Sequence, residues 1–346
     1  MNKGLTYLTG MTILSCVLLC LAGCLGKAVR KEKVVSATVA RSFPPLPQVP
    51  AVITDPAAAA EYVASTFWDA FLNPSAGGLA EGGFDTSLVA GVPKDEVESA
   101  LSSYLSILEE RCSKPVAVKC CREFFAKVES YQRADSASNV FAFFEKMMEK
   151  YLYDPNSPFR DEDIYQPYVA GLAVSPFVEE DFKWSYEHTA QMCLLNQVGT
   201  RASDIDLTYL DGKRGTLYSV KAPWTLLFFS NPLCTACKEI VDQLEGSESV
   251  SSLIEDGTLA VVNVYIDSEL DKWRDYAVNY PKEWHTAYDR SRKVRTAQTY
   301  DVRAIPSLYL LDKDKTVLMK DAPTERVIPA LENIAGTRDF AHAELK

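Results

Sequence analysis

The spacing of apolar residues along the chain changes near Gly199, and this change separates two regions. Between residues 55 and 195, apolar side chains recur every three or four positions, the period of a helix that buries one face. One clear stripe consists of Phe141, Phe144, Met148 and Tyr151. The pattern predicts helices over Ala57–Leu72, Lys94–Glu110, Val116–Tyr131, Ala137–Leu152 and Glu179–Leu195. Residues 55–195 are therefore predicted to form a mostly α-helical N-terminal domain with the aromatic stripe in its core.

After residue 198, short β-rich runs alternate with helical ones. Thr225–Ser230 and Leu259–Asp267 are nearly continuous apolar runs, as expected of buried strands. Ile205–Leu210 alternates with a period of two and ends at Asp211-Gly212, a hairpin turn signal, so Leu217–Lys221 is its predicted partner. The other predicted elements are helices Ser268–Tyr280 and Glu325–Ile334 and strands Ile305–Asp312 and Thr316–Lys320. This alternation predicts an α/β domain over residues 198–346.

The first 24 residues have the pattern of an export signal. Lys3 precedes a mostly apolar run, Met11–Ala22, which is too short to span a membrane comfortably. The run ends at Leu21-Ala22-Gly23-Cys24, which resembles the cleavage box of bacterial lipoproteins. This resemblance implies that residues 1–23 are a lipoprotein signal peptide and that Cys24 carries acyl chains. The alternative is an ordinary secretory signal with an incidental cysteine.

Residues 24–54 are predicted to be a lipid-anchored, proline-rich tether. Leu25–Lys33 is basic and would lie beside lipid headgroups. The five prolines between residues 41 and 56 favour an extended, semi-rigid spacer. Folded structure is predicted to begin at Asp55-Pro56, an acidic N-cap followed by proline in the first helical turn. Together these features predict a body attached to a membrane of the cell envelope and facing the periplasm.

Composition and charge narrow the classes of function. The 346 residues suggest two domains, and a chain that is 47% hydrophobic and 24% charged is not of the disordered class. Its formal charge is −11, and no Lys/Arg-rich block follows residue 33, so nucleic acid is not a predicted partner. The histidines are widely scattered at positions 188, 285 and 342, which disfavours a zinc site. No organic or metal cofactor is implied.

The nine cysteines fall into groups along the chain. Three lie in the first 24 residues, and two form the motif Cys234-Thr235-Ala236-Cys237. The remaining four are in the helical region, at Cys112, Cys120, Cys121 and Cys193. In an oxidising compartment Cys112 could pair with Cys120 or Cys121, or all four could be buried thiols that behave as small hydrophobic residues.

The CxxC motif has a specific structural context, because a buried strand enters it and a helix leaves it. Cys234 is thus predicted to lie at a helix N-terminus, where free N–H groups and the helix dipole lower the pKa of a thiol. Cys237 follows one turn later on the same face, close enough to form a disulfide. Ile305-Pro306 directly precedes a predicted strand. A cis-proline there would bring backbone against the cysteines and expose an edge to a substrate chain.

On these motifs, residues of about 198–336 resemble the thioredoxin-like fold, and more closely its membrane-anchored extracytoplasmic branch, the TlpA/ResA-like thiol–disulfide proteins. The matching pieces are the hairpin at 205–220, the strand–CxxC–helix at 225–244, Ile305-Pro306, and room for an insertion at about 268–298. The resemblance implies that Cys234 attacks, Cys237 resolves and Pro306 is the cis-proline. Residues 55–195 are similar to a helical domain of unknown function found before such domains in other bacterial lipoproteins.

Two positions depart from the family pattern. Leu233 stands where tryptophan is usual, and Phe228 stands where many thioredoxins have a buried acid that assists proton transfer. The expected function is a membrane-anchored extracytoplasmic thiol–disulfide oxidoreductase acting on protein or small-molecule thiols, with a membrane partner that reduces its disulfide. The alternative is a non-catalytic, lipid-anchored binding or assembly protein that uses its thioredoxin-like domain as a docking platform.

Overall fold

The computed structural model describes residues 40–74 and 87–343. The signal peptide, Cys24 and the first part of the tether lie outside the described residues, so the predictions made for them stay predictions. In the part that is described, no helix combines the length and the apolar character needed to cross a bilayer.

Helices dominate the N-terminal part of the described chain. Its elements are α1 (Pro56–Thr66), β1 (Leu88–Val89), β2 (Val92–Pro93), α2 (Lys94–Glu110), α3 (Lys114–Ala134), α4 (Val140–Leu152), α5 (Glu162–Val174) and α6 (Glu180–Cys193). The predicted N-cap is present, since the Asp55 carboxylate accepts a hydrogen bond from the Ala58 N–H at 2.7 Å. The mostly helical N-terminal domain is confirmed, although α1 ends at Thr66 rather than Leu72.

Helix α5 was not predicted, although it lies at the centre of this domain between α3 and α6. Its N-cap is Asp161, which accepts a hydrogen bond from the Ile164 N–H at 3.0 Å. Pro167 lies within the helix and is itself buried. Gly171 lets α3 approach closely, because a Cβ at this position would overlap the ring of Phe125.

Aromatic rings form much of the helical core. Trp68, Phe124 and Phe144 pack against one another, and the ring centroid of Trp68 is 4.9 Å from that of Phe124 and 5.1 Å from that of Phe144. Three residues of the predicted stripe on α4, Phe141, Phe144 and Met148, are buried in the core, and the fourth, Tyr151, is half-buried. The hydroxyl of Tyr151 donates to Glu98 at 2.8 Å.

The packed part of the chain extends into the segment predicted to be a tether. Arg41 donates from its backbone N–H to the Gly91 carbonyl at 2.9 Å and from its guanidinium to the Ala90 carbonyl at 2.9 Å. Phe43 stacks on Phe71 with a centroid separation of 5.1 Å. Residues 40–54 have no helix or strand, but at Arg41 and Phe43 they are held against the helical domain.

The C-terminal part is an α/β domain, as predicted. Its elements are β3 (Asp206–Tyr209), β4 (Arg214–Thr216), β5 (Trp224–Phe229), α7 (Thr235–Gly246), α8 (Glu248–Glu255), β6 (Leu259–Tyr265), α9 (Leu270–Ala277), β7 (His285–Asp289), α10 (Lys293–Thr296), β8 (Ser307–Asp312), β9 (Val317–Met319) and α11 (Thr324–Ala343). The strands form one sheet in the order β4-β3-β7-β6-β5-β8-β9. Strands β5, β6 and β7 are parallel, and β8 pairs antiparallel with β5.

The predicted hairpin partner at Leu217–Lys221 is wrong. The tight turn at Asp211-Gly212 pairs Thr208 with Arg214, so the returning strand is β4 and is complete by Thr216. Thr216 and Ser219 then form a capping box around a single 3-10 turn, which ends the strand.

Strand β5 lies inside the sheet with cores on both faces. Leu226 and Phe228 belong to the core that also holds residues of α7 and α11, whereas Leu227 and Phe229 belong to the core on the opposite face. Because β5 is buried on both faces, its carboxyl end is a rigid support for the loop that leads into α7.

Candidate redox site

A short loop carries the chain from β5 to the first cysteine. Phe229 ends the strand, and Cys234 is the N-cap of α7. The Cys234 Sγ accepts a hydrogen bond from the Cys237 N–H at 3.1 Å. Leu233 has a positive φ of 67° and is 82% exposed, so the residue before the first cysteine projects into solvent. The unpaired N–H groups at this end of the helix favour negative charge on the Cys234 sulfur.

The two cysteines of the motif form a disulfide with a Cα–Cα distance of 5.2 Å. Cys237 is only 2% exposed and belongs to the same core as Phe228. Cys234 is partly exposed at the edge of that core. An attacking thiol must reach a sulfur from solvent, so this geometry leaves Cys234 as the sulfur accessible to a substrate.

The loop before β8 lies against the same sulfur. The Ile305–Pro306 peptide bond is cis. The Ile305 carbonyl oxygen is 3.8 Å from the Cys234 Sγ. The structure therefore brings together Cys234, Cys237 and Pro306, the three residues that the sequence assigned to the site.

Phe228 occupies the position where the family resemblance implied an acid. Its ring is fully buried and packs edge-to-face on Trp284, with centroids 6.3 Å apart. Strand alternation places Ser230 on the same sheet face as Phe228, and Asn263 lies on the neighbouring strand opposite Phe228. The Ser230 Oγ donates to the Asn263 Oδ1 at 2.5 Å and lies 3.0 Å from the Tyr280 hydroxyl.

Sequence reasoning missed this buried polar trio. Burial raises the pKa of Tyr280, although hydrogen bonds with Ser230 and Asn263 partly oppose this change. Tyr280 is therefore a neutral hydrogen-bonding group and not a base at neutral pH. The available signal was Asn263, the one amide within the otherwise apolar run of β6.

A second polar chain, also missed, ties the cysteine loop to the segment before Pro306. The Asn231 amide donates to Asp267 at 2.7 Å, and Arg295 donates to the other oxygen of Asp267 at 3.0 Å. Arg295 also donates to the Val302 carbonyl at 3.0 Å. Asp267 and Arg295 thereby fix the two sides of the site relative to each other.

The other described cysteines are free thiols, and the structure contains none of the pairings considered from the sequence. Cys120, Cys121 and Cys193 are buried, whereas Cys112 is partly exposed. Across residues 40–74 and 87–343, no three His, Cys, Asp or Glu side chains are grouped as a metal site would require.

Two family models match the chain. One describes a domain of unknown function, DUF5106, and matches residues 25–196, and the other is a thioredoxin-like family that matches residues 224–317. The crystal structure of a thioredoxin-like protein from Bacteroides caccae is 34% identical and covers 83% of this chain and 97% of its own, with a TM-score of 0.70. The chain belongs to this thioredoxin-like family. The predicted fold class and the helical domain of unknown function before it are thus confirmed.

Other solved structures are similar to a part of this thioredoxin-like protein. The C-terminal domain of an uncharacterized protein from Bacteroides fragilis is 42% identical and covers 39% of this chain and 97% of its own, with a TM-score of 0.38. The thioredoxin domain of a thiol-disulfide oxidoreductase from Bacteroides vulgatus is 17% identical. It covers 40% of this chain and 98% of its own, with a TM-score of 0.36. No curated protein matches the chain. The thioredoxin-like fold and the disulfide-forming CxxC pair support a redox function.

Proposed function

We propose that this thioredoxin-like protein is a thiol–disulfide oxidoreductase, anchored by lipid on Cys24 and active outside the cytoplasm. One observation carries the catalytic part of the proposal. The partly exposed Cys234 caps α7, forms a disulfide with the buried Cys237, and lies 3.8 Å from the Ile305 carbonyl. This arrangement provides an accessible sulfur, a resolving sulfur behind it, and a backbone edge beside both.

The reaction begins with the reduced pair. The Cys234 thiolate attacks one sulfur of a substrate disulfide, so that this S–S bond breaks and the other substrate sulfur leaves as a thiolate. Cys237 then loses its proton and attacks the Cys234 sulfur of the mixed disulfide, and the second substrate sulfur leaves. The substrate has gained two electrons, and the protein holds the 234–237 disulfide. The two substrate thiolates take up two protons: one is the Cys237 proton, and the other comes from the solvent, which received the Cys234 proton when the attacking thiolate formed. Because Phe228 replaces the usual acid, we assign the transfer of the Cys237 proton to water or to the departing thiolate.

The cellular setting of the proposal rests on the sequence. The apolar run ending at Cys24 supports export and acylation, and the basic residues after Cys24 suit a lipid surface. The proposed partners are extracytoplasmic proteins or small molecules with thiols or disulfides, together with a membrane protein that reduces the 234–237 disulfide. With a formal charge of −11, the chain is unsuited to bind nucleic acid.

Insulin reduction tests the catalytic part. We expect the wild type to reduce insulin with a reversible 234/237 redox potential, and Cys234→Ser to lose this activity because the attacking sulfur is gone. Cys237→Ser should accumulate mixed disulfides, which identify substrates, because the resolving sulfur is missing. A pair that cannot be cycled between oxidised and reduced forms, or a Cys234→Ser variant with full activity, contradicts the proposal.

Membrane fractionation tests the anchor separately. In a bacterial host that processes lipoproteins, the wild type should sediment with membranes and carry acyl chains on an N-terminal Cys24, as detected by mass spectrometry. Cys24→Ala should remove the lipid, since the acylated thioether cannot form. An unmodified wild-type N-terminus overturns the anchor without affecting the redox proposal.

The non-catalytic alternative is a lipid-anchored docking or assembly protein. The observation that favours it is Phe228, which fills the place of the acid with a fully buried ring. The insulin experiment separates the two proposals, because a docking platform requires no cycling of Cys234 and Cys237.

A further inference from the structure

Buried ion pairs join the helical domain to the thioredoxin-like domain. Glu162, the first residue of α5, is only 4% exposed. One of its carboxylate oxygens is 2.7 Å from Arg303, and the other is 2.7 Å from Lys320. A buried carboxylate with two cationic partners in the other domain is costly to leave unpaired, so its geometry is held firmly.

These contacts converge on the segment that contains Pro306. Arg303 lies three residues before this proline and also contacts the Asp321 carboxylate at 3.0 Å. The other oxygen of Asp321 accepts a hydrogen bond at 2.6 Å from Ser307, the residue after the proline. Arg160, just before α5, donates to the Asp321 carbonyl at 2.6 Å. The segment is therefore fixed on both sides of Pro306.

Tyr153 adds a third attachment from the helical domain. Its hydroxyl donates to the Asp301 carboxylate at 3.1 Å. The guanidinium of Arg303 lies 3.9 Å above the Tyr153 ring centroid, within the range of a cation–π contact. Asp301 and Arg303 precede the Ile305 carbonyl that lies against Cys234, so the helical domain contacts this side of the redox site through one short segment.

We propose that the helical domain is a positioning element for the redox site. In this proposal Glu162 and Tyr153 are positioning residues that hold the segment 301–307 against Cys234 in the orientation that receives a substrate chain. The proposal rests on the proposed thiol–disulfide function and gives the domain of unknown function a specific role in it. Without these attachments, the backbone of segment 301–307 would be held less precisely beside Cys234. Displacing a positioning group by a small distance can lower the rate of an enzyme substantially.

The chain offers a matched control for a purely structural role. Glu109 on α2 and Arg326 on α11 also form an ion pair between the two domains, at 2.9 Å. Neither of these residues makes a described hydrogen bond or ion pair with the segment 301–307. Glu162→Gln and Glu109→Gln therefore make the same replacement of a carboxyl group by an amide in an interdomain pair, with and without contact to the redox segment. Tyr153→Phe is a milder second variant that removes a single hydroxyl.

The test is steady-state reduction of insulin, together with alkylation of reduced Cys234 by iodoacetamide, a small probe that needs no substrate edge. We expect Glu162→Gln and Tyr153→Phe to raise KM by up to about tenfold while changing the alkylation rate less than about twofold. Glu109→Gln should change neither quantity. Equal KM values for the wild type, Glu162→Gln and Tyr153→Phe, or an equal rise in Glu109→Gln, overturn the positioning role. A wild type that does not reduce insulin overturns the proposed function, and this inference with it.

Discussion

Cysteines in the described chain occupy two kinds of environment. Cys234 is partly exposed at a helix N-terminus, whereas Cys120, Cys121 and Cys193 lie in the apolar core of the helical domain. Burial raises the pKa of Cys120 to about 11 and raises the pKa of Cys121 and of Cys193 still further. The thiolate is the reactive form, so these buried thiols are unreactive at neutral pH.

Alkylation of the reduced, folded protein tests this difference. At neutral pH we expect iodoacetamide to modify Cys234 at least about tenfold faster than Cys121 or Cys193, because only Cys234 combines access with a site that favours the thiolate. Peptide mass spectrometry at increasing reaction times gives the rates. Unfolding in urea is the control, since it should make all the cysteines react alike. Modification of Cys121 in the folded protein at the rate of Cys234 would contradict the assignment.

Glu162 makes folding stability depend on pH. Burial raises its pKa from the ordinary value of 4.5 to about 7, although Lys320 and Arg303 act to lower it. Between these two values the folded state holds a proton that the unfolded chain releases, so the free energy of unfolding falls as the pH rises through this window. Glu162→Gln cannot titrate and should show a smaller fall between about pH 5 and about pH 7.5 in urea unfolding.

Glu98 provides the control for this pH effect. Its hydrogen bonds from Lys150 and Tyr151 lower its pKa below the ordinary value, so its contribution to stability is lost only as the pH falls below about 4.5. Glu98→Gln should therefore leave the slope between pH 5 and pH 7.5 unchanged. Parallel curves for the wild type and Glu162→Gln would show that Glu162 does not titrate in this window.

At the scale of elements, α5 is the helix that the spacing of apolar residues did not predict. The helices with a one-sided apolar stripe were predicted, with ends shifted by a few residues. Helix α5 buries Pro167, Tyr168 and Val169, three consecutive residues that point to different sides of the helix, so its apolar pattern is not a one-sided stripe. Pro167 also disfavours a helix at this point in the sequence. The cap at Asp161 was the local signal that indicated a helix start.

Strand β7 was missed for a different reason. Its five residues, His285–Asp289, show no uninterrupted apolar run, and the strand exists because β3 and β6 pair with it on either side. Such pairing depends on residues distant along the chain, whereas the neighbouring runs of β5 and β6 were apolar enough to be recognised locally.

The contact between α3 and α5 depends on Gly171. A Cβ there would overlap the Phe125 ring, so we expect Gly171→Ala to destabilise the protein by about 1–3 kcal/mol, measured by urea unfolding. Gly246→Ala in α7 is the control, because its Cβ would meet no atom within 4 Å, and it should leave stability equal or slightly higher. A Gly171→Ala protein as stable as the wild type would mean that α3 and α5 separate easily.

At the scale of the whole molecule, the residues of the candidate site could be predicted from the sequence. The contacts with the helical domain that hold the segment around Pro306 in place could not. Cys234, Cys237 and Pro306 were found because each stands in a local pattern of strand, turn and helix. Glu162 and Arg303 are 141 residues apart, and neither has a local pattern that marks it as part of the same network. The positioning role proposed for the helical domain therefore could be inferred only from tertiary contacts, and not from the sequence.

Lys320 is the most buried cation of the contact between the domains. Its side chain is 4% exposed, lies 2.7 Å from Glu162 and 3.8 Å from Asp163, and donates to the Cys193 carbonyl at 2.8 Å. Lys320→Met would leave two buried carboxylates short of a cation. We expect a loss of about 3–5 kcal/mol in the free energy of unfolding at a pH above the pKa of Glu162, where this carboxylate is charged.

Urea unfolding followed by tryptophan fluorescence and by far-ultraviolet circular dichroism measures this loss. The loss should become smaller near pH 5, because burial raises the pKa of Glu162 to about 7 and this carboxyl group is then protonated. Lys313→Met is the control, since the Lys313 side chain is 77% exposed and its contact with Asp314 is a surface pair. If Lys320→Met and Lys313→Met unfold at the same urea concentration, the buried ion pairs do not stabilise the contact between the two domains.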